Sequence, residues 1–339
     1  MCPIPIFPDL RTRLGKIGLG NLPIDRVASP HQSGFRTRAK FRIMRRSDGE
    51  IVEGMDPQRG HLPVDQMLWI LPEWSRLCIQ KTISILSCHA SQAPVDGFDV
   101  RLSHGRHQLH VSLNVKRSSR RDYRPLALEL VETVREIIGA AVPSKRLEFG
   151  EIFLQHRLLR TDIVSHYRAF FQPNLHLTPV LLQDMKQKAV KIQADRIIDL
   201  YCGVGLFSLI LKKKHWTIKG FDSDRWAVQS ARKNARQFEI DPECFLCMKT
   251  EEAVKNLDFK SSDLVIVDPP RQGCSADVID AIASGECREV CLVSCHLETQ
   301  IRDLQEWVKC GFEVQSFRAY DAFPFTRFFE TVCFLKKRR

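Results

Sequence analysis

The chain has 339 residues, more than the roughly 250–300 at which a single hydrophobic core usually stops growing, so two domains are expected. Hydrophobic residues make up 44% of it, and no apolar run approaches the roughly 20 residues that cross a bilayer, which predicts a soluble protein with no membrane partner. The formal charge of +11 favours an acidic partner such as nucleic acid.

Cysteine usage indicates the compartment. Twelve cysteines are too few for a disulfide scaffold, and the N-terminal segment 1–7 contains prolines and no basic residue, which is not typical of a signal peptide. We therefore predict reduced thiols in a cytoplasmic protein. Cys244 and Cys247 have the spacing of a metal-binding pair, but no second pair accompanies them, so no metal site is predicted.

The positive charge is concentrated in the first half of the chain. Residues 1–165 carry 25 Lys and Arg against 17 Asp and Glu, whereas residues 166–339 carry 26 against 23. Two stretches hold much of the excess: residues 26–46 with seven basic residues and no acidic one, and residues 116–124 with five against one. Basic patches neutralise phosphates and release counterions, so two of them favour RNA or DNA over a merely solvated basic surface.

The first half of the chain has the pattern of a small α+β domain, placed at residues 1–165. Residues 36–43 and 108–115 alternate as half-exposed strands, and residues 68–86 and 125–138 have apolar residues at helical spacing. A sheet with two helices packed on one face is predicted. Four basic residues share one face of the first strand and are the predicted RNA contacts: Arg36, Arg38, Lys40 and Arg42.

From about residue 178, strands alternate with helices, which predicts a mainly parallel, Rossmann-like α/β sheet in a domain at residues 166–339. A helix over 178–191 begins with Thr178 as N-cap and Pro179 at its first position. The last two strands have no helix between them and are predicted to pair antiparallel at one edge. The predicted strands cover residues 196–200, 217–221, 263–267, 289–294, 313–320 and 329–335, and the other helices cover 206–213 and 225–238.

A cofactor loop is predicted at Asp199-Leu-Tyr-Cys-Gly-Val-Gly205, which follows a buried strand and precedes a helix. Asp222 ends the next strand, where a carboxylate can accept hydrogen bonds from ribose hydroxyls. Ser208 stands where a dinucleotide motif has its third glycine, so S-adenosylmethionine is favoured over a dinucleotide, and a tight turn without a ligand is the remaining alternative. The acid that opens the loop suits the amino end of a methionine moiety.

Candidate functional residues follow two further predicted strands. In Asp268-Pro-Pro-Arg271 the prolines take the chain out of the sheet and leave Asp268 at the cleft. Methyltransferases that act on amino nitrogens often have an aromatic residue after two such prolines, so Arg271 argues against that chemistry. Cys295 directly follows the strand 289–294. At the end of a strand a cysteine can act as a nucleophile, and a buried core thiol without a catalytic role is the alternative. A thiolate that adds at uracil C6 makes C5 nucleophilic.

These motifs resemble the RNA uracil-C5 methyltransferase family in order and spacing, and the resemblance covers nearly the whole chain. It includes Phe170-Phe-Gln172-Pro-Asn174 and Asp321-Ala-Phe-Pro-Phe-Thr-Arg-Phe-Phe-Glu330, and Pro30 to Lys40 resembles a strand of the family's central domain. Members of the 23S ribosomal RNA type, which lack a TRAM domain, are the most similar. The resemblance implies a class I S-adenosylmethionine-dependent fold, and we expect a monomer.

The resemblance also implies roles for single residues. Cys295 is the expected nucleophile, and Glu330 is the expected base that removes the C5 proton. Leu206 could contact the cofactor only through its backbone or by packing. The expected cofactor contacts are Gln172, Tyr201, Gly203, Gly205, Leu206, Asp222 and Asp268, with Asp268 also near the target base.

The sequence departs from the family at two places. His296 and Leu297 follow the nucleophile where the family usually has Asn-Pro, and the cysteine cluster that holds an iron–sulfur centre in many members is missing, since Cys2, Cys78 and Cys88 do not restore its spacing. No iron–sulfur cluster is expected. The predicted function is formation of 5-methyluridine in RNA, with ribosomal RNA favoured over transfer RNA. A catalytically silent RNA-binding relative and an amino-nitrogen methyltransferase are the alternatives.

Overall fold

The computed structural model describes residues 10–46, 49–56, 60–326 and 328–338, which form two compact units. The smaller unit consists of residues 31–167 and 172–176, and the larger unit contains the other described residues. Cys2, the rest of the N-terminal segment and Arg327 lie outside the described residues.

The described chain begins in the larger unit, with helix α1 (Leu10–Gly15) and strand β1 (Ile24–Val27). Leu10 and Leu14 are buried in the core of that unit, and β1 runs parallel to the strand at residues 312–320. The sequence had placed residues 1–165 in a single N-terminal domain. Residues 10–30 depart from this division because their few apolar side chains find their partners in the larger unit.

The smaller unit contains a mixed sheet with helices packed against it. Among its described residues, seven strands lie in the order β4-β3-β2-β5-β6-β7-β8, and a separate hairpin is formed by β9 and β10. The strands are β2 (Arg38–Arg46), β3 (Gly49–Asp56), β4 (Gly60–Pro63), β5 (Gly97–Leu102), β6 (Leu109–Asn114), β7 (Ile137–Val142), β8 (Leu147–Gly150), β9 (Phe153–Leu158) and β10 (Thr161–His166).

The helices of the smaller unit are α2 (Val64–Ile70), α3 (Glu73–Cys88) and α4 (Arg124–Thr133). The sequence predicted one helix over 68–86, but the chain breaks at Leu71, whose backbone is extended (φ −90°, ψ 150°). The proline that follows disfavours helical geometry in the residue before it, which explains the break. No helix among the described residues is long and apolar enough to cross a membrane.

The larger unit is the predicted Rossmann-like α/β domain. The six strands and three helices predicted from the sequence lie within a few residues of their predicted limits. Buried strands of nearly continuous apolar sequence form its centre, as is typical of parallel sheets covered on both faces. Its further elements are α5 (Leu177–Ala189), β11 (Arg196–Leu200), α6 (Leu206–Leu211), β12 (Thr217–Asp222), α7 (Arg225–Gln237), β13 (Phe245–Cys247), α8 (Thr250–Ala253), β14 (Asp263–Val267), α9 (Ala276–Ser284), β15 (Glu289–Ser294), α10 (Leu297–Lys309), β16 (Phe312–Tyr320) and β17 (Glu330–Lys337). Additional to the predicted elements are α1, β1, β13, α8, α9 and α10.

The described strands of this unit lie in the order β1-β16-β17-β15-β14-β11-β12-β13. β16 and β17 pair antiparallel, as predicted, and β17 also pairs antiparallel with β15. The predicted edge position is wrong, because β1 pairs with β16 and covers that side of the sheet. The pairing of β17 with β15 brings the start of the last strand beside the end of the strand that precedes Cys295.

Candidate active site

The predicted site residues of the larger unit follow one another along one edge of its sheet. β12, β11, β14 and β15 are parallel neighbours, so their carboxyl ends share that edge. In order along it come Asp222, the loop after Leu200, Asp268 and Cys295. Because β17 runs the opposite way, its first residue, Glu330, also lies there. Five separate sequence signals therefore meet at one edge, where open α/β sheets bind their ligands.

The cofactor loop is a tight turn with room for a ligand on one side. Tyr201, Gly203 and Gly205 all have positive φ angles, of 62°, 53° and 78°. A Cβ atom on Gly203 would have no atom within 4 Å, so the backbone there is open to an approaching group. A Cβ on Gly205 would come 2.9 Å from the ring of Phe245, so that glycine is required by packing.

Two carboxylates flank this turn. Asp222 accepts hydrogen bonds from the backbone N–H of Gly203 (2.9 Å) and of Asp224 (2.8 Å), and burial raises its pKa. Asp199, fully buried in β11, accepts one from the N–H of Ser208 (3.3 Å), while its Oδ1 has no hydrogen-bond partner in the described structure. Burial raises the pKa of Asp199 to about 7. A buried carboxylate with a vacant oxygen can pair with the amino group of a methionine moiety.

Tyr201 is held in place at the mouth of the loop. Its hydroxyl donates a hydrogen bond to Oε1 of Glu251 (3.2 Å), in helix α8. Burial raises its pKa, so the hydroxyl stays protonated and keeps donating. Leu206 begins helix α6 and is buried.

Cys295 and Glu330 are brought together by strand register. Ser294 lies opposite Thr331 where β15 and β17 pair, so the next residue on each strand at this edge is Cys295 and Glu330. The Thr331 hydroxyl donates to the Ser294 carbonyl (3.1 Å) and fixes this end of the pair. Cys295 is half-buried, whereas Glu330 is buried with 6% of its surface exposed. A thiol and a carboxyl group therefore face the same small volume.

Electrostatics in this volume opposes negative charge. Burial, Glu330 and Asp268 raise the pKa of the Cys295 thiol to about 12. Burial, together with the charges of Asp199 and Asp222, raises the pKa of Asp268 to about 7. Burial and Asp268 also raise the pKa of Glu330 well above its usual range. At neutral pH the resting site therefore holds a thiol and carboxyl groups that can exchange protons.

Arg271 is a functional candidate that sequence reasoning used only to exclude another chemistry. Its guanidinium lies 4.8 Å from the ring centre of Phe328, and its charge lowers the pKa of both Cys295 and Glu330. Its positive charge therefore favours the charged forms of the Cys295 thiol and the Glu330 carboxyl group. The signal was its place directly after the two prolines, but the partner on the last loop could not be read from the chain.

His296 takes the place of the family's usual asparagine and begins the turn into α10. Its backbone N–H donates to the Ser294 hydroxyl (3.3 Å), and its carbonyl accepts a hydrogen bond from the Thr299 hydroxyl (3.1 Å). Its ring centre lies 6.4 Å from that of Phe328. The turn after Cys295 is therefore held by backbone hydrogen bonds with histidine in this position.

Other predicted site residues lie in the smaller unit. The carbonyl of Gln172 accepts hydrogen bonds from the Thr37 hydroxyl (3.3 Å) and from Nε2 of His104 (2.9 Å). The predicted alternation of residues 36–42 is confirmed, since Thr37, Ala39 and Phe41 are buried between the four basic residues. Of those four, Arg36 and Arg38 are half-buried, and Lys40 and Arg42 are exposed.

No group of three or more His, Cys, Asp or Glu side chains among the described residues is arranged to hold a metal ion.

Comparison with known proteins decides the family. A family model described as tRNA (Uracil-5-)-methyltransferase matches residues 21–338. The chain belongs to the tRNA (uracil-5-)-methyltransferase family. This confirms the resemblance found in the motifs, and the match extends through both compact units.

Individual relatives of this family member differ in how much they share with it. A tRNA (uracil(54)-C(5))-methyltransferase from Pyrococcus abyssi is 31% identical over 184 residues, which are 54% of this chain and 43% of that protein. An uncharacterized RNA methyltransferase from Listeria monocytogenes is 26% identical over 311 residues, 85% of this chain and 68% of that protein. The chain thus spans less than half of the first relative and about two thirds of the second.

Among solved structures, the Pyrococcus abyssi tRNA (uracil-54, C5)-methyltransferase in complex with S-adenosyl-L-homocysteine superposes with a TM-score of 0.74 at 22% identity. The superposition covers 96% of this chain and 82% of that one. It confirms the predicted fold class, a Rossmann-like methyltransferase domain with a smaller α+β unit.

Proposed function

We propose that this family member is an S-adenosylmethionine-dependent enzyme that forms 5-methyluridine in RNA through a covalent cysteine adduct. The observation that carries the proposal is the position of Cys295 and Glu330, each next to the paired residues Ser294 and Thr331 of β15 and β17, at the sheet edge that also carries the open turn at Gly203. An enzyme that methylates an amino nitrogen needs neither a thiol nor a second base at this position. A silent RNA-binding relative would have no reason to keep both groups at one sheet edge.

The chemistry follows from these groups. The Cys295 thiol gives up its proton to the neighbouring Asp268 carboxylate, and the sulfur forms a bond to C6 of the uracil ring, which moves an electron pair toward C5. The electron pair at C5 then forms the new bond to the methyl group as the bond from that methyl group to the sulfonium sulfur of the donor breaks, and the donor sulfur leaves as a neutral thioether. The Glu330 carboxylate then removes the C5 proton. The electrons of the C5–H bond rebuild the C5–C6 double bond and expel the sulfur. Arg271 favours the ionised forms of both protein groups.

The residues around the turn fit S-adenosylmethionine. The Asp199 carboxylate would accept a hydrogen bond from the amino group of the cofactor, and the Asp222 carboxylate would accept hydrogen bonds from its ribose hydroxyls. Gly203 leaves room for the part of the cofactor that joins these two groups. When bound, this cofactor supplies an electrophilic methyl group. The solved relative in complex with S-adenosyl-L-homocysteine supports this assignment. Tyr201, Leu206 and Asp268 complete the proposed cofactor site, and Gln172 is assigned to it by the family motif alone.

We assign RNA recognition to the smaller unit, which contains the basic stretch 116–124 and all of the stretch 26–46 except residues 26–30. The predicted substrate is 23S ribosomal RNA, because the chain resembles family members of that type. Transfer RNA is the second candidate, favoured by the 31% identity to an enzyme that is named for uracil 54 of transfer RNA. In either RNA the target uridine must leave its stack to reach a cysteine at a sheet edge.

The test is methyl transfer by the purified full-length chain to ribosomal and transfer RNA from cells that lack the gene. Digestion and mass spectrometry should detect 5-methyluridine in one of the two RNAs and show no methyl group on an amino nitrogen. Cys295→Ala is the inactive control, and Cys291→Ala, which changes a buried thiol inside β15, is the matched control for loss of a cysteine. Methylation of an amino nitrogen, or equal activity of Cys295→Ala, would contradict the proposal.

A further inference from the structure

The loop that joins β6 to α4 in the smaller unit forms an open cavity of about 520 Å³ lined by cations. Lys116, Arg120 and Arg121 line it, together with Ser118 and Ser119. One carboxylate, Asp96, also lines it, so three positive groups face one negative group. Such a wall of cations and hydroxyls suits an anionic, oxygen-rich ligand.

The loop is fixed by its own backbone and by a buried tyrosine. The Tyr123 hydroxyl donates to the carbonyl of Pro94 (3.0 Å) and accepts from the Ser119 hydroxyl (2.9 Å), and only 1% of this side chain is exposed. Lys145 Nζ donates to the carbonyl of Arg117 (2.8 Å) and to that of Ser119. The cations are therefore carried by an ordered loop, which lowers the entropy that binding would cost.

The cationic side chains that line the cavity are not paired with carboxylates among the described residues. Lys116, Arg120 and Arg121 are exposed, and none of them forms an ion pair with another described residue. By contrast, Arg124 at the end of the loop lies 3.6 Å from Asp122. Unpaired cations that the fold holds near one another repel each other, and a ligand with several negative charges would relieve this repulsion.

We propose that this cavity is a second RNA contact, which binds consecutive phosphates of the substrate backbone apart from the strand that carries Arg36 to Arg42. The inference rests on the proposed function for the identity of the ligand. Residues 116–122 include no apolar side chain, and a membrane-binding loop needs an apolar group to bury among the lipids. Two neighbouring guanidinium groups match phosphate oxygens in a bidentate geometry.

The test compares two double variants that lose the same charge from the same loop. Arg120→Gln with Arg121→Gln removes cations that line the cavity, and Arg117→Gln with Arg124→Gln removes cations that do not. Fluorescence anisotropy with labelled bulk transfer RNA and with labelled polyuridylate gives affinity at several salt concentrations. The first variant should flatten the slope of log K against log salt by about 1.5, since each phosphate contact contributes about 0.7–0.9. The control should change it by less than a third of that.

Each outcome decides the proposal. Equal slopes for both double variants would overturn the cavity as a site, and so would loss of binding to phosphatidylglycerol vesicles with unchanged RNA affinity. Circular dichroism shows whether the variants are folded, which exposed side chains should permit. If the wild-type chain makes no 5-methyluridine and the first variant still loses affinity, the proposed function fails and the RNA site stands. If methylation occurs and the slopes are equal, only the site fails.

Discussion

Replacing Asp199 with asparagine should stabilise the protein at alkaline pH while weakening its cofactor binding. The carboxyl group is fully buried, accepts one backbone hydrogen bond at 3.3 Å from Ser208, and leaves Oδ1 without a partner in the described structure. Burial raises its pKa from 3.8 to about 7. The fold therefore tolerates the protonated acid much better than the carboxylate.

The sign and size of the effect follow from this pKa. Because the folded pKa lies above the unfolded one, the folded state holds more protons between about pH 4 and pH 7, and stability falls as the pH rises through that interval. Three pH units correspond to about 4 kcal/mol, lost by pH 8. Asparagine removes this loss but buries an NH2 group without a partner, which costs about 1–3 kcal/mol. The expected net gain of Asp199→Asn at pH 8 is about 1–3 kcal/mol.

Urea unfolding from pH 4 to pH 8 measures this directly, with Asp195→Asn as the control because Asp195 is an exposed aspartate just before the same strand. The free energy of unfolding of wild type should fall relative to that of Asp199→Asn as the pH rises, and the control should run parallel to wild type. Affinity for S-adenosylmethionine should fall by about 10- to 100-fold in Asp199→Asn, the loss of a charged hydrogen bond. Parallel curves of unfolding free energy against pH for wild type and Asp199→Asn would refute the claim that Asp199 is buried without enough hydrogen bonds to stabilise its charge.

Three other predictions test the site and the RNA surface. Glu330→Gln should bind RNA, form the cysteine adduct and then stall, so that covalent complex accumulates on denaturing gels; normal turnover would contradict its role as the base. Arg271→Gln should move the rising limb of the pH–rate profile to higher pH and slow the reaction at pH 7 by about tenfold or more, because the pKa values of Cys295 and Glu330 rise without the cation, while Arg271→Lys should restore most of the rate. An unchanged pH–rate profile in Arg271→Gln would contradict this role of Arg271. Neutralising the four basic residues of the segment 36–42 should flatten the salt dependence of RNA binding, with most of the effect from the two exposed ones. Unchanged slopes would remove this segment from the RNA site. These four are Arg36, Arg38, Lys40 and Arg42.

The sheet of the larger unit could be predicted because its central strands are short, nearly continuous apolar runs. Each run ends in a distinctive group, such as the glycine turn after Leu200, the prolines after Asp268, or Cys295. Since the carboxyl ends of parallel strands share an edge, the sequence was enough to bring these groups together. The proximity of Glu330 to Cys295 could not be predicted from the strand pattern alone, because it depends on β17 pairing with β15.

Local pattern could not reveal contacts between distant segments. β1 has only four residues, and nothing in them indicates that they cover the sheet edge beside β16. The contact of Arg271 with Phe328 joins two loops, and its electrostatic effect on Cys295 is visible only in three dimensions. The vacant oxygen of Asp199 is likewise a property of packing, since the sequence shows only an acid at the end of an apolar run.

Covalent trapping tests the central claim most directly. The full-length chain is incubated with S-adenosylmethionine and substrate RNA that carries 5-fluorouridine in place of uridine, then separated on a denaturing gel. Because Glu330 can remove a proton from C5 but cannot remove fluorine, wild type should accumulate a protein–RNA complex that survives denaturation, and peptide mapping should place the link at Cys295. Cys295→Ala should form none. Methylation of uridine by Cys295→Ala at the wild-type rate, or a link at another residue, would contradict the account.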